Sequence, residues 1–304
     1  PEIAAVNVQV TEMSKDERRH AMVTARRVAS ERSQSQNLSP DTHVVAVSSG
    51  KGGVGKSTTT VALAQALARS GKSVGILDAD IWGYSVPSLL ETKDRKIEAH
   101  GTRSEWRLTP VRVEVEGVTL QVVSMGMLAE DETSAIMWRG MMLSRAFQHF
   151  VEDVEWGSLD YLLVDMPPGT GDIQLTLARL VPNAFSIVVT TPDLRAATVA
   201  TRAGDMSRRS NLAVLGVIEN MSYLTCEHGD QHEVFGSGGG ALVAEQLGVS
   251  LLGNVPIGPT HETQLAFNEI AASLHRCVEE ELASRMGCTA RLLHALDQAV
   301  DLAV

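Results

Sequence analysis

A glycine-rich segment early in the chain carries the residue types that bind phosphate. Residues 50–57 read Gly-Lys-Gly-Gly-Val-Gly-Lys-Ser, which matches the pattern G-x-x-x-x-G-K-[ST], and they lie between a predicted strand and a predicted helix. Glycines let backbone N–H groups point at phosphate oxygens, the helix N-terminus adds partial positive charge, and the second lysine neutralises phosphate. The hydroxyl of Ser57 can bind Mg²⁺. The pattern therefore predicts a site for a magnesium nucleotide, formed by Gly50, Lys51, Gly52, Gly53, Val54, Gly55, Lys56, Ser57 and Thr58.

A second lysine, Lys51, follows the first glycine of this segment. Phosphate binding by the loop does not itself require a lysine there. A lysine at this position can reach a phosphate from another direction, including across a dimer interface, and act in trans as an arginine finger does. The alternative is a solvent-exposed loop lysine. We predict the first role, so Lys51 and Lys56 are candidate catalytic residues.

Acidic residues end two of the predicted strands. Asp165 ends the run YLLVD, where a carboxylate can hold a magnesium-bound water. Asp78 and Asp80 end the run SVGILDAD, two residues apart and therefore on the same side of a strand. One of this pair can assist magnesium while the other positions the attacking water. The alternative for all three is a structural cap on the following helix, which is common for Asp at a strand end.

From residue 43 onward, short β-branched apolar runs alternate with longer helical stretches. Runs that are apolar on both faces predict strands buried on both sides, hence an α/β fold with a doubly wound, mainly parallel sheet. The helix after the phosphate loop is expected over residues 57–70, closed by Gly71. Residues 93–118 fit this rhythm poorly and predict a β-excursion on the surface. The predicted strands are 43–48, 73–80, 119–123, 161–165, 185–190 and 212–218.

Charge and hydropathy exclude several classes of partner. The 304 residues include 26 Lys and Arg against 37 Asp and Glu, a net charge of −11, which disfavours general binding to nucleic acid. The sequence contains no run of about 18 or more apolar residues, so it predicts no membrane span, and no secretion signal is recognisable at the start. We therefore expect a cytoplasmic protein without a membrane or nucleic-acid partner. Its three cysteines do not form a disulfide framework.

Six motifs together resemble the Mrp/ApbC family of iron-sulfur cluster carrier ATPases, within the larger group that holds MinD, ParA and the nitrogenase iron protein. They occur in order over roughly residues 40–275: GKGGVGKST, DADIWGYSVP, MWRG, DMPPGTGD, IENMSY and FGSGGG. The resemblance implies a P-loop NTPase of the deviant Walker A type, which works as a homodimer that encloses two ATP molecules with Mg²⁺.

The resemblance also implies roles for particular residues. Lys51 would be the signature lysine, Asp80 would lie near the attacking water, Asp165 would be the magnesium-associated Walker B acid and Asn220 would contact adenine. Asp78 is then the carboxylate left to assist magnesium. Residues 1–32 look like the truncated remnant of a small domain that often precedes this ATPase. Residues 33–42 read as a linker, and residues 43–304 as the ATPase domain.

The chain departs from the family at the expected cluster-binding motif. The family carries Cys-x-x-Cys after Asn-Met-Ser-Tyr, where two thiolates from each subunit would hold a bridging 4Fe-4S cluster. Here the corresponding residues are Cys226, Glu227, His228 and Gly229. Two subunits would offer two thiolates, and His228 or His232 could supply nitrogen ligands. A free or structural cysteine is the alternative.

Three functions follow from these features. The first is an ATPase that binds iron-sulfur clusters and transfers them to apoproteins. The second is a positioning ATPase similar to MinD or ParA, which would need a basic or amphipathic surface. The third is a nucleotide-dependent protein switch that has lost cluster binding together with the second cysteine. We expect the first.

Overall fold

The computed structural model of the chain describes residues 38–80, 83–102, 105–128, 140–169 and 171–285. Within these ranges strands and helices alternate, as the apolar runs predict. The helices are α1 Lys56–Arg69, α2 Val86–Leu89, α3 Gly140–Glu152, α4 Gly171–Leu180, α5 Leu194–Arg209, α6 Gly239–Leu247 and α7 His261–Arg285, with a 3₁₀ turn at Met125–Leu128. The strands are β1 His43–Ser49, β2 Val74–Asp78, β3 Glu98–Thr102, β4 Glu105–Thr109, β5 Val111–Val115, β6 Val118–Ser124, β7 Tyr161–Asp165, β8 Phe185–Thr190, β9 Ala213–Asn220, β10 Leu224–Thr225, β11 Gln231–His232 and β12 Ser250–Val255.

Eight strands form the central sheet in the order β12-β9-β8-β1-β7-β2-β6-β5. Neighbouring strands are parallel except for β5, which pairs antiparallel with β6 at one edge. This confirms the predicted doubly wound, mainly parallel sheet. Strand β1 lies inside the sheet between β7 and β8, so the loop that follows it opens at the carboxyl edge, where such sheets bind ligands.

Helices cover both faces of the sheet, which is why the strands are apolar on both sides. On one face α1 and α7 bury Leu63 and Leu274 against β1 and its neighbours. On the other face α3 contributes Phe147, which packs in the same cluster as Trp156 and Leu162. Helices α5 and α6 close a third cluster over β8 and β9. The phosphate loop therefore stands on a core that is packed from both sides.

Most predicted strand bounds agree with the structure to within two residues. Strands β7 and β8 have the predicted bounds, whereas β2 ends at Asp78 and leaves Asp80 outside it. The argument that both carboxylates share one side of a strand therefore does not apply. Strand β12 was missed, because Gly253 interrupts its apolar run. That glycine is required by packing, since a Cβ there would lie 2.6 Å from Ile270 Cγ1.

The excursion over residues 93–118 is only partly separate from the sheet. Strands β3 and β4 form their own two-stranded antiparallel sheet, whereas β5 joins the central sheet. In β5 the buried Val111 and Val113 alternate with the exposed Arg112 and Glu114, as a strand with one covered face requires. The proposed remnant domain at residues 1–32 lies outside the described residues. Of the predicted linker, Leu38 forms a parallel bridge with Gly157.

The core makes a direct prediction for stability. Phe147 is fully buried, so Phe147→Ala should lower the free energy of unfolding by about 3–5 kcal/mol through lost burial and a residual cavity. Urea unfolding measures this. The control is Leu175→Ala on α4, whose side chain is 54% exposed and whose loss should stay within about 0.5 kcal/mol. Equal losses for the two variants would contradict the packing described here.

Candidate functional site

The loop between β1 and α1 has the open shape that phosphate binding requires. Gly53 and Gly55 adopt positive φ angles of 80° and 78°. A Cβ at Gly52 or Gly53 would meet no atom within 4 Å, so their backbone faces open space. At the two ends of the loop the packing is tight. A Cβ at Gly50 would lie 2.4 Å from the backbone carbon of Val199, which explains why the first position must be glycine.

A buried ion pair joins this loop to the end of β7. The ammonium of Lys56 donates to Asp165 Oδ1 at 2.6 Å, and both side chains are buried, at 6% and 0% exposure. Ser57 Oγ donates to Asp165 Oδ2 at 2.6 Å, and Thr60 Oγ1 donates to Oδ1 at 2.9 Å. The structure thus brings together three residues that the sequence placed in the site and adds Thr60. Thr60 was missed, although its position four residues after Lys56 places it on the same helix face.

Asp78 lies next to Asp165 because β2 pairs with β7 in a register that sets the two residues side by side. Asp78 Oδ2 accepts a hydrogen bond from Ser124 Oγ at 3.0 Å. Burial, followed by the neighbouring Asp165 carboxylate, raises the pKa of Asp78 to about 7. Two adjacent carboxylates in a buried pocket favour a cation or a shared proton.

Asp80 and Asn220 approach the site from the ends of β2 and β9. Asp80 is buried and follows β2; its Oδ1 accepts from the backbone N–H of Gly83 at 3.1 Å, and its own N–H donates to Asp78 Oδ1 at 3.2 Å. Asn220 ends β9, and its Nδ2 donates to the carbonyl of Val54 at 2.9 Å. A Cβ at residue 55 would lie 2.2 Å from that nitrogen, so Gly55 permits the contact.

Lys51 differs from Lys56 in pointing toward solvent. Its side chain is 45% exposed, and Nζ lies 3.9 Å from Asp193 Oδ2. Asp193 is the N-cap of α5, where its Oδ1 accepts from the backbone N–H of Arg195. This partner was not anticipated from the sequence. Lys51 therefore lies at the surface beside the loop and is not one of the hydrogen-bond partners of Asp165.

Cys226 lies at the turn of the small hairpin formed by β10 and β11. The turn is closed by hydrogen bonds from Cys226 N to Asp230 O and from Gly229 N to Cys226 O, both at 2.9 Å. A hydrogen bond with the imidazole of His232, together with those from the backbone N–H groups of His228 and Asp230, lowers the pKa of the Cys226 thiol to about 7. A thiolate of this kind is a better metal ligand than an ordinary thiol.

The hairpin of one chain does not complete a metal site. In the part of the chain that the structure describes, no group of three or more His, Cys, Asp or Glu side chains is arranged to hold a metal ion. Cys277 on α7 is a free thiol packed against the core.

The sequence matches the family described as ParA: NUBPL iron-transfer P-loop NTPase over residues 41–285. The chain belongs to this family. The resemblance to iron-sulfur carrier NTPases deduced from the six motifs is thereby confirmed. The match spans the whole sheet and every helix that carries a candidate site residue.

Curated relatives in several bacteria are named iron-sulfur cluster carrier protein. An iron-sulfur cluster carrier protein of Mycobacterium bovis is 47% identical over 224 residues, which are 72% of this chain and 56% of that protein. A protein of that name from Bacillus subtilis is 46% identical over 214 residues, covering 70% and 58%. The one from Mycobacterium leprae is 45% identical over 269 residues, covering 85% and 67%. The chain thus spans little more than half the length of the first two relatives.

Solved structures of P-loop NTPases agree with the fold. A nucleotide-binding protein from Archaeoglobus fulgidus in complex with ADP is 32% identical, with a TM-score of 0.62, and the match covers 82% of this chain and 92% of that one. MinD from Pyrococcus horikoshii with Mg-ADP is 20% identical, with a TM-score of 0.54 over 76% and 94% of the two chains; it supports the fold alone. Across the described residues, no helix combines the length and apolar character needed to cross a membrane.

The raised pKa of Asp78 should make the stability of the ligand-free protein depend on pH. The pKa of Asp78 in the folded state lies above the ordinary value of 3.8. The contribution of this carboxyl to the free energy of unfolding is therefore fully present below pH 4 and is lost as pH rises through about 7. Asp78→Asn should therefore raise the free energy of unfolding at pH 8, by up to about 4 kcal/mol, and change it little at pH 4.

Urea unfolding with EDTA and without nucleotide, at pH 4 and at pH 8, tests this expectation. Asp205→Asn, which removes an exposed carboxylate on α5, is the matched control and should leave the pH profile unchanged. An Asp78→Asn profile parallel to that of the unmodified protein would show that burial of Asp78 does not raise its pKa.

Proposed function

We propose that the protein binds and hydrolyses ATP and carries iron-sulfur clusters to apoproteins as a cytoplasmic homodimer. The observation that carries the ATPase part is the cluster of Lys56, Ser57 and Asp165 at the mouth of the glycine loop, with both oxygens of Asp165 already oriented by donors. The names of the curated relatives and of the family support the iron-sulfur part.

The residues around Asp165 fit a magnesium ion. Mg²⁺ prefers oxygen ligands, keeps several waters and is usually bound through one or two carboxylates and phosphate oxygens. The hydroxyl of Ser57 and the carboxylates of Asp165 and Asp78 supply oxygens at one edge of the sheet. When bound, the ion would neutralise charge that develops on the transferred phosphoryl group. A cation would also favour the charged form of Asp78.

Nucleotide binding requires Lys56 to exchange partners. In the ligand-free arrangement the Lys56 ammonium is paired with Asp165. A triphosphate bound to the N–H groups of the glycine loop would compete with Asp165 for this ammonium. The exchange would leave the Asp165 carboxylate and the Ser57 hydroxyl as the groups that would hold the ion. Asp80 would orient the attacking water, and the amide oxygen of Asn220 would accept from the adenine amino group.

Lys51 supplies the argument for a homodimer. It is exposed and lies beside Asp193 instead of the Asp165 cluster, so it is available to a nucleotide bound by a facing subunit. A cation brought in trans stabilises transition-state charge only after two chains have met. Hydrolysis would then be coupled to dimerisation.

The cluster would be cargo shared between two hairpins. Each chain offers one thiolate, Cys226, with the imidazoles of His232 and His228 on the same hairpin. Two chains therefore supply two sulfur donors and up to four nitrogen donors, enough to complete four ligands. Histidine replaces cysteine in some natural clusters. The second candidate is a nucleotide-dependent switch without a cluster, which the single cysteine favours.

The first test addresses Lys51. Lys51→Ala should retain ATP binding and lose at least about 100-fold in turnover, as expected for a charge that acts in trans. Binding is measured with a fluorescent ATP analogue and turnover by phosphate release. Lys72→Ala, which removes a lysine in the turn between α1 and β2, is the control. Unchanged turnover in Lys51→Ala would eliminate the trans role.

The second test addresses the cargo. Anaerobic reconstitution with iron and sulfide should give a visible absorption band and bound iron in the purified protein, both lost in Cys226→Ala. Cys277→Ala, in a half-buried thiol away from the hairpin, should behave as the unmodified protein. Failure of the unmodified protein to retain iron would favour the nucleotide switch.

A further inference from the structure

A polar cavity of about 460 Å³ opens beside the hairpin, on the face of the sheet covered by α6. Glu219 and Asn220 are consecutive in β9 and therefore point to opposite faces. Asn220 contacts the phosphate loop, whereas Glu219 contacts the N-terminus of α6. The cavity is thus separated from the phosphate loop by the sheet. Its lining consists of Glu219, Ser222, Tyr223, Gln231, Glu233, Ser237, Gly238, Ala241, Leu251 and Asn254.

Glu219 gives the cavity a buried acid. Its side chain is only 5% exposed. Oε2 accepts a hydrogen bond from the backbone N–H of Gly240 at 2.6 Å, whereas Oε1 receives no hydrogen bond from any described residue. Helix α6 therefore satisfies one oxygen and leaves the other to the cavity. The second oxygen is open to the cavity while the rest of the side chain is packed, so this position favours a ligand that donates hydrogen bonds and carries positive charge.

The other charged groups make the cavity more negative. Glu233 is exposed at its edge, and no Lys or Arg belongs to the lining. Glu262 of α7 is not part of the lining, but it accepts from the lining residue Tyr223 through Oη at 3.0 Å and from Thr225 Oγ1 at 2.7 Å. Two carboxylates thus face one small polar space. The remaining hydroxyl and amide groups of the lining can accept from a multivalent donor such as a guanidinium.

Exposed apolar side chains lie close in sequence to two residues of the cavity lining. Val234 is 54% exposed, Phe235 50% and Leu224 40%. They are chain neighbours of Glu233 and Tyr223, which line the cavity, and they lie on or just after the hairpin that carries Cys226. Apolar residues grouped beside a polar pocket are typical of a protein interaction surface.

We propose that this cavity receives a lysine or arginine side chain of a protein partner, whose adjacent apolar residue packs on Val234 and Phe235. The buried Glu219 carboxylate pairs with the cation, and the exposed Glu233 carboxylate contacts the same cation from the edge of the cavity. With a net charge of −11, the chain also attracts a basic segment during the encounter. That this partner is a protein receiving the cargo of Cys226 rests on the function proposed above; the binding site itself does not.

Peptide titration tests the site directly. The probes are Ac-Phe-Lys-Phe-NH₂ and Ac-Phe-Arg-Phe-NH₂, with Ac-Phe-Glu-Phe-NH₂ as the matched acidic control, added to the full ¹⁵N-labelled chain without iron. Saturable shifts of the amides of Glu219, Glu233 and Phe235 are expected for the cationic peptides. Glu219→Gln should weaken their affinity at least 10-fold, whereas Glu245→Gln, in an exposed acid elsewhere on α6, should not.

Two further variants protect the test against a folding defect in Glu219→Gln. Glu233→Gln and Phe235→Ser alter exposed residues and should each weaken the cationic peptides while preserving the amide spectrum elsewhere. Equal binding of the acidic peptide, no binding of either cationic peptide, or unchanged affinity in all three variants would overturn the proposal. Sedimentation provides a further check. If Phe235→Ser dissociates a dimer that the peptides do not perturb, the surface is an interface between two copies of this chain, and the proposal is overturned.

The outcome is independent of the cluster. Since the titration contains no iron, a failed reconstitution leaves the peptide result unaffected. Conversely, a chain that binds iron but no cationic peptide would retain the proposed cargo function and lose this docking site.

Discussion

The site depends on the buried contact between Lys56 and Asp165. The lysine comes from the first turn of α1 and the aspartate from the last residue of β7, so the contact joins two segments that are 109 residues apart. Neither charge could be buried alone at acceptable cost. Their pairing, with the hydroxyls of Ser57 and Thr60, therefore holds the glycine loop over the carboxyl edge of the sheet before any ligand arrives.

This arrangement carries an electrostatic tension that a ligand can relieve. Asp78 lies beside Asp165 because strand register places it there, and burial next to a second carboxylate favours its protonated form. A magnesium nucleotide brings a cation for the carboxylates and phosphates for the lysine at the same time. A ligand that carries both charges relieves the unfavourable electrostatics of the empty site, and the site therefore favours such a ligand over one that carries a single charge.

Two exposed features lie beyond this site. Lys51 is exposed next to Asp193 at the phosphate loop, and the Cys226 hairpin emerges beyond β9. Strand β9 links them, because Asn220 touches the loop on one face while Glu219 lines the acidic cavity on the other. One strand end therefore contacts both the nucleotide side and the proposed partner side, which provides a short physical connection between them.

The sequence alone determined the local elements and the residues that bind phosphate. The glycine spacing, Lys56 and Ser57 are contiguous, and strands apolar on both faces specify a sheet covered on both sides, so local pattern is sufficient for these features. The tertiary structure decided which distant groups meet: Asp78 with Asp165 through register, Lys51 with Asp193 across a loop, and Glu219 with α6. It also placed β5 and β12 at the sheet edges and joined Cys226 to His232 across a hairpin turn. These contacts depend on strand order and side-chain direction, which no spacing within a single segment encodes.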